Sequence, residues 1–171
     1  MAIPNPDHLL EQAEYLLQAR NSLGRVRQAD RRRAISAAYY AVFHFALTAV
    51  ADEFIGKAER NEPRYALVYR SIDHKALEGV CDAVGKERLP KNYEKYAPKD
   101  GVGPNIREFA ILTAQLKAER LSADYDPSHW VNMIDAMTAI SMARSAMLRF
   151  SKASLARRKA FLTLLLFKPR S

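Results

Sequence analysis

Arg31-Arg32-Arg33-Ala34-Ile35-Ser36-Ala37-Ala38-Tyr39-Tyr40-Ala41-Val42-Phe43-His44 is the stretch on which the fold turns. Its alanines 34, 37, 38 and 41 recur at helical spacing and form a seam of small residues. Ile35, Val42, Phe45, Ala46 and Ala49 widen that seam into a buried face. Gly24 and Gly56 punctuate the sequence on either side, and no glycine or proline falls between them. The spacing predicts a helix from about Gln28 to Phe54, long enough to organise a bundle around itself.

The helical period continues in both directions. Asn5-Pro6-Asp7 pairs an N-cap with proline at the first helical position and an acid beside the positive helix end. Leu9, Leu10, Ala13, Leu16 and Leu17 then predict a helix to about Asn21. Pro63 opens a short helix through Tyr69. Ser71 is the expected N-cap of the next one, with Ile72, Leu77, Val80, Cys81 and Val84, ending at Gly85. Residues 86–104, with three prolines and two glycines, are expected to form a long loop, functional or mobile. A further helix is expected over 105–121. Asp126-Pro127 then predicts the start of a long C-terminal helix with the buried stripe Trp130, Ile134, Met137, Ile140, Ala143 and Met147, in period to about Phe150. No segment reads as a strand. The expectation is an all-α antiparallel bundle of four to five helices over residues 1–150.

Composition narrows the function. The 171 residues carry 27 Lys and Arg against 19 Asp and Glu, a net charge of +8. Up to Asp135 the two signs balance. Residues 136–171 hold eight basic residues and no acid, so the whole excess lies on this stretch, which ends in a basic and apolar extension over 151–171. Arg157, Arg158 and Lys159 precede the apolar run Phe161 to Phe167. A helix apolar nearly all round needs cover. A second protomer or a partner protein is the expected cover, ahead of the chain's own bundle, with an anionic membrane surface last. Arg20, Arg25, Arg27, Arg31, Arg32 and Arg33 form a second basic segment, and such segments suit nucleic acid. One cysteine excludes a disulfide framework, and four scattered histidines make a poor metal site, so neither metal nor cofactor is expected. No secretory signal or membrane-spanning run is read, which leads to a cytoplasmic expectation. Walker-type, His-Glu-x-x-His and Gly-x-Ser-x-Gly motifs are missing from the sequence.

Three segments can carry chemistry. Arg33, Tyr40 and His44 lie on one helix face, where a guanidinium, a phenol and an imidazole in register can hold a phosphate. The alternative is buried rings with local polar partners. Arg120-Leu121-Ser122-Ala123-Asp124-Tyr125 offers an Arg120–Asp124 pair one turn apart. Asp124 can also reach Arg33 or orient His44, with a structural clamp favoured over catalysis. Arg70-Ser71-Ile72-Asp73-His74 places a cation and an imidazole near a helix start.

Taken in order, Arg33…Tyr39-Tyr40-Ala41-Val42-Phe43-His44, then His74, then Arg120-x-x-Ala123-Asp124-Tyr125 resemble the HEPN domain family over roughly residues 7–150. The resemblance implies a helical bundle that dimerises and an association with RNA, as cleaving enzyme or binding module. It also implies a place in a toxin–antitoxin or phage-defence system, beside a nucleotidyltransferase partner. RNA-cleaving members carry an Arg-x4-6-His motif. The positions that would need arginine hold Ala37, Ala38 and Tyr39 before His44, and Leu67, Val68 and Tyr69 before His74, so the motif is absent. Arg70 and His74, with three residues between them, come nearest, and share a face if both are helical. The cleaving version makes His44 and His74 the acid and base and has Arg33 and Arg70 bind phosphate. Tyr40, Arg120, Asp124 and Tyr125 complete the site, with Asp124 orienting a partner. The alternative is a non-catalytic RNA- or protein-binding module that acts through Arg157, Arg158 and Lys159.

Overall fold

The computed structural model describes residues 3–18 and 23–169. Among these residues the chain is helical throughout, with no strand: α1 (Pro6–Gln18), α2 (Gln28–Phe54), α3 (Pro63–Arg70), α4 (His74–Gly85), α5 (Lys91–Glu94), α6 (Gly103–Tyr125), α7 (Met133–Lys152) and α8 (Leu155–Leu166). The all-α bundle follows the expectation. Asn5, Arg20, Asn21 and Arg170 differ in how far they can be followed: Asn5 Oδ1 caps α1 by accepting from Asp7 N at 3.0 Å, whereas the other three lie outside the described residues.

α2 is the central element, packed against α1, α3, α6, α7 and α8. Its alanine seam explains this. Ala34, Ala38 and Ala41 are fully buried and let neighbouring backbones approach, while Ile35, Val42 and Val50 fill the space between them. By length and composition alone α2 is apolar enough to cross a bilayer, yet most of that apolar surface is covered by the surrounding helices.

Three expectations at the C-terminal half are corrected. First, α6 runs on through Tyr125, and Asp126-Pro127 forms a turn rather than a helix start. Pro127 has no N–H to give to the Ala123 carbonyl and so ends the helix. Arg32 satisfies the carbonyls left free there, donating to those of Ala123 (2.5 Å), Asp126 (2.7 Å) and His129 (3.2 Å). Arg31 holds the next stretch through the Val131 carbonyl at 3.0 Å. Second, α7 begins at a capping box, in which Asn132 Oδ1 accepts from Asp135 N (2.9 Å) and Asp135 Oδ2 from Asn132 N (2.8 Å). Its buried face is therefore Ala136, Ala139, Ile140, Ala143, Ala146 and Phe150, while Trp130, Ile134 and Met137 of the expected stripe face solvent. Third, residues 86–104 are not one open loop. They contain α5, bury Val102 and pack Tyr93 and Ala97 on the core.

The chain beyond residue 150 folds back on its own bundle. After a break at Ala153, α8 buries Phe161, Leu162, Leu164 and Leu165. Phe109, Phe150 and Phe161 meet edge to face with centroids 5.0, 5.3 and 5.9 Å apart, tying α6, α7 and α8 together. Each such pair adds about 0.5–1.5 kcal/mol beyond the area it buries. Gly103, at positive φ, has no side chain where the Arg157 guanidinium lies, and Arg157 pairs there with Asp100. The apolar run thus finds its cover in the chain itself.

Candidate functional site

The three segments separated in sequence converge at one place. α2 contributes Ser36, Tyr39, Tyr40, Phe43 and His44, α3 contributes Tyr69, the start of α4 contributes His74, and α6 contributes Arg120, Asp124 and Tyr125. Tyr40 lies at the centre. Its ring is 6.1 Å from that of His44 and 5.6 Å from that of His74, and its hydroxyl accepts from an Arg120 terminal nitrogen at 2.9 Å. Phe43 stacks close on His74, with centroids 4.0 Å apart.

Arg120 is the hub of the charge. Its guanidinium lies over Tyr40 (5.3 Å), Tyr125 (5.4 Å) and Tyr39 (5.9 Å). Its Nε is 2.7 Å from Asp124 Oδ2, an ion pair in which the Nε hydrogen is not aimed at the carboxylate. The other Asp124 oxygen accepts from the Ser36 hydroxyl. Of the alternatives for Asp124, the structure realises the Arg120 pair. The carboxylate contacts neither Arg33 nor His44.

Each histidine is held by a tyrosine. His44 Nδ1 lies 2.6 Å from the Tyr69 hydroxyl, and His74 Nδ1 lies 2.8 Å from the Tyr39 hydroxyl. Burial pushes the Tyr69 phenol up to about 12 and raises that of Tyr39 above its ordinary value, so both stay protonated. Burial also lowers the pKa of His44, with the charge of His74 adding to it. His74 is lowered first by burial and then by Arg120 and Lys117, against a smaller opposing effect of Asp73. Both rings are therefore neutral near pH 7. Each tyrosine hydroxyl can donate to a bare Nδ1 or accept from a protonated one, so either neutral tautomer of each ring satisfies its contact.

Arg33, Tyr40 and His44 do share a face, as their spacing predicts. With Leu9, Gln12 and Leu16 of α1 they line a groove of about 460 Å³. Arg33 is exposed and its side chain has no partner among the described residues. The Arg70–His74 pair is not formed on one face. Arg70 ends α3 and His74 begins α4, with three non-helical residues between them, so helical spacing does not apply. Asp73, not Ser71, is the N-cap of α4, accepting from Ala76 N at 2.7 Å. Arg70 is exposed and stands apart from the cluster's hydrogen bonds.

Four of the eight basic residues in the acid-free stretch 136–171 are paired with acids elsewhere in the chain. Arg157 pairs with Asp100, Lys159 with Glu53 (2.9 Å), Arg149 with Glu108 (3.1 Å) and Arg144 with Glu14 (2.7 Å). Among the described residues no cluster of His, Cys, Asp and Glu is arranged to hold a metal ion. Tyr69, Ser36, Tyr39 and Phe43 are members to which sequence reasoning gave no role. Ser36 lies inside the quoted stretch, but Tyr69 is 25 positions from His44 and carries no local signal. Comparison with family models, with curated proteins and with solved structures gives no match for this chain.

Proposed function

We propose that the protein is an RNA-associated module of the kind the HEPN resemblance implies, with RNA received in the groove of Arg33, Tyr40 and His44. The observation that carries this reading is the meeting of the three resembling segments in one cluster, beside a groove that presents an unpaired guanidinium and a neutral imidazole. Arg33 binds a backbone phosphate. In the cleaving version, His44 takes the 2′-hydroxyl proton as that oxygen bonds to phosphorus. The bond from phosphorus to the 5′-oxygen breaks and the protonated His44 returns the proton to that leaving oxygen, while Arg33 stabilises the phosphorane charge without a metal. Tyr69 supports this because its hydroxyl can donate to or accept from Nδ1, and so serves either tautomer of His44. Membership of a toxin–antitoxin or defence system, a nucleotidyltransferase partner and homodimer formation belong to the same proposal. The solvent-facing Trp130, Ile134 and Met137 supply an apolar face suited to the second protomer.

The test is incubation of purified protein with RNA in the presence of a chelator, with binding followed by fluorescence anisotropy. Binding that weakens in Arg33→Ala supports the groove, and cleavage lost in His44→Ala supports the nuclease version. RNA left intact at high protein concentration rejects cleavage. Binding unaffected by Arg33→Ala rejects the groove itself.

A second reading, the non-catalytic module, is favoured by one specific observation. Arg120, Asp124 and Ser36 form a closed polar clamp between α2 and α6, and both histidine Nδ1 atoms are engaged by tyrosines. In this reading the groove binds RNA without cutting it. Of the three basic residues of the extension expected to bind, Arg157 and Lys159 are paired with acids, while Arg158 has no acid partner among the described residues.

A further inference from the structure

A second, larger cleft lies further along α2, between the start of α1, the second half of α2, and α7 with α8. It encloses about 950 Å³, at the upper end of the range for small-molecule sites. Its wall is apolar along Phe45, Ala49, Phe150, Leu155 and Leu162. Of the six charged residues that line it, three, Asp52, Glu53 and Arg60, are paired. Asp52 accepts from Arg60 at 2.7 and 3.0 Å and from the Tyr65 hydroxyl at 2.9 Å, and Glu53 pairs with Lys159.

Arg158 differs from its neighbours. It is half-buried in the cleft wall, and its side chain has no acceptor among the described residues. Its Nε is sealed from solvent without a partner, as is the Thr48 hydroxyl in the same wall. Buried polar atoms are nearly always paired, and a cation drawn partly out of water without a counter-charge is costly. Arg157 and Lys159, on either side in sequence, both have acids.

We propose that this cleft binds a small amphiphilic anion, its carboxylate on the Arg158 guanidinium and its apolar body along Phe45, Phe150 and Leu162. The planar fork of arginine matches the two oxygens of a carboxylate. Asp7, on the α1 side of the lining, disfavours a second anionic group, so a single-headed anion fits better than a polyphosphate. This inference stands independently of the RNA reading.

Decanoate, titrated calorimetrically into the full chain, is the probe, with decanol as the uncharged molecule of the same length. The expected result is saturable one-to-one binding that perturbs the amide resonances of Ala49 and Leu162. Arg158→Gln and the exchange of decanoate for decanol should each weaken binding by about tenfold or more. Arg158→Lys keeps the charge and should retain most of the affinity. Ala49→Phe fills the floor and should abolish binding even if Arg158→Gln fails to fold. Absence of saturable binding, equal affinity for decanol, equal affinity in a folded Arg158→Gln protein, or undiminished binding in Ala49→Phe overturns the proposal.

Discussion

Arg120 and Asp124, one turn apart on α6, form a 2.7 Å ion pair whose carboxylate also receives the Ser36 hydroxyl of α2 and whose guanidinium also holds the Tyr40 hydroxyl. A local helical pair has thereby become a clamp between two helices. Both side chains are largely withdrawn from solvent, so each depends on the other for its charge. Asp124→Ala would leave the Arg120 guanidinium without its carboxylate and should cost about 2 kcal/mol of stability. Urea denaturation of Asp124→Ala, Arg120→Ala and the double variant measures this. Additive single effects would show that the pair carries no coupling.

The two histidines make stability depend on pH in a definite direction. Both have folded pKa values below the ordinary imidazole value, for which burial is the largest cause. Between the folded and unfolded pKa values the unfolded chain binds more protons. Their contribution to stability is therefore complete above about pH 6.5 and is lost as pH falls through the folded values. Thermal unfolding between pH 5 and 7.5 should show a lower melting temperature on the acid side, with the slope reduced in His44→Gln. A slope of the opposite sign, or one unchanged by the substitution, would contradict the assignment.

The extension is an integral part of the core. Phe161→Ala removes a fully buried ring from the Phe109–Phe150–Phe161 group and should destabilise the whole bundle by about 3–5 kcal/mol. Circular dichroism of a chain ending at residue 152 should accordingly show lost cooperativity. A truncated chain that unfolds as sharply as the full one would mean that α8 is an appendage after all.

The α7 start offers a local check. Asn132→Ala removes one arm of the capping box and should cost about 1 kcal/mol, while Asp126→Ala, at the turn once expected to be the cap, should not shorten α7. Hydrogen exchange at residues 133–137 reads the difference directly.

If the outer face of α7 joins two protomers, Ile134→Glu should shift the mass measured by light scattering from dimer to monomer, leaving the helical content unchanged. A wild-type protein that is monomeric across the accessible concentration range would remove the dimer from the functional proposal.

Much of the fold was legible in order, and much of the site only in part. The period of Ala34, Ala38 and Ala41 gave α2 its place at the centre, and Asn5-Pro6 gave the start of α1, because caps and periodicity act over a few residues. Asp126-Pro127 misled for the same reason. As a local signal it is an adequate helix start, but the turn there is held by Arg32, more than ninety positions away, and α7 starts at the capping box of Asn132 and Asp135. Trp130 precedes α7, and the face of that helix which packs is that of Ala136, Ala139, Ala143 and Ala146, so Ile134 and Met137 stand in solvent.

The sequence by itself determined the helical class, the central helix, and which residues share a helix face: Arg33 with Tyr40 and His44, and Arg120 with Asp124. These depend on a fixed rise and turn per residue, which any reader of the chain can apply. Only the tertiary structure decided that His44 meets Tyr69, that His74 meets Tyr39 rather than Arg70, and that the acid-free C-terminal stretch spends much of its charge on Asp100, Glu53, Glu108 and Glu14. Those contacts join helices far apart in the chain, and their geometry follows from how whole faces pack.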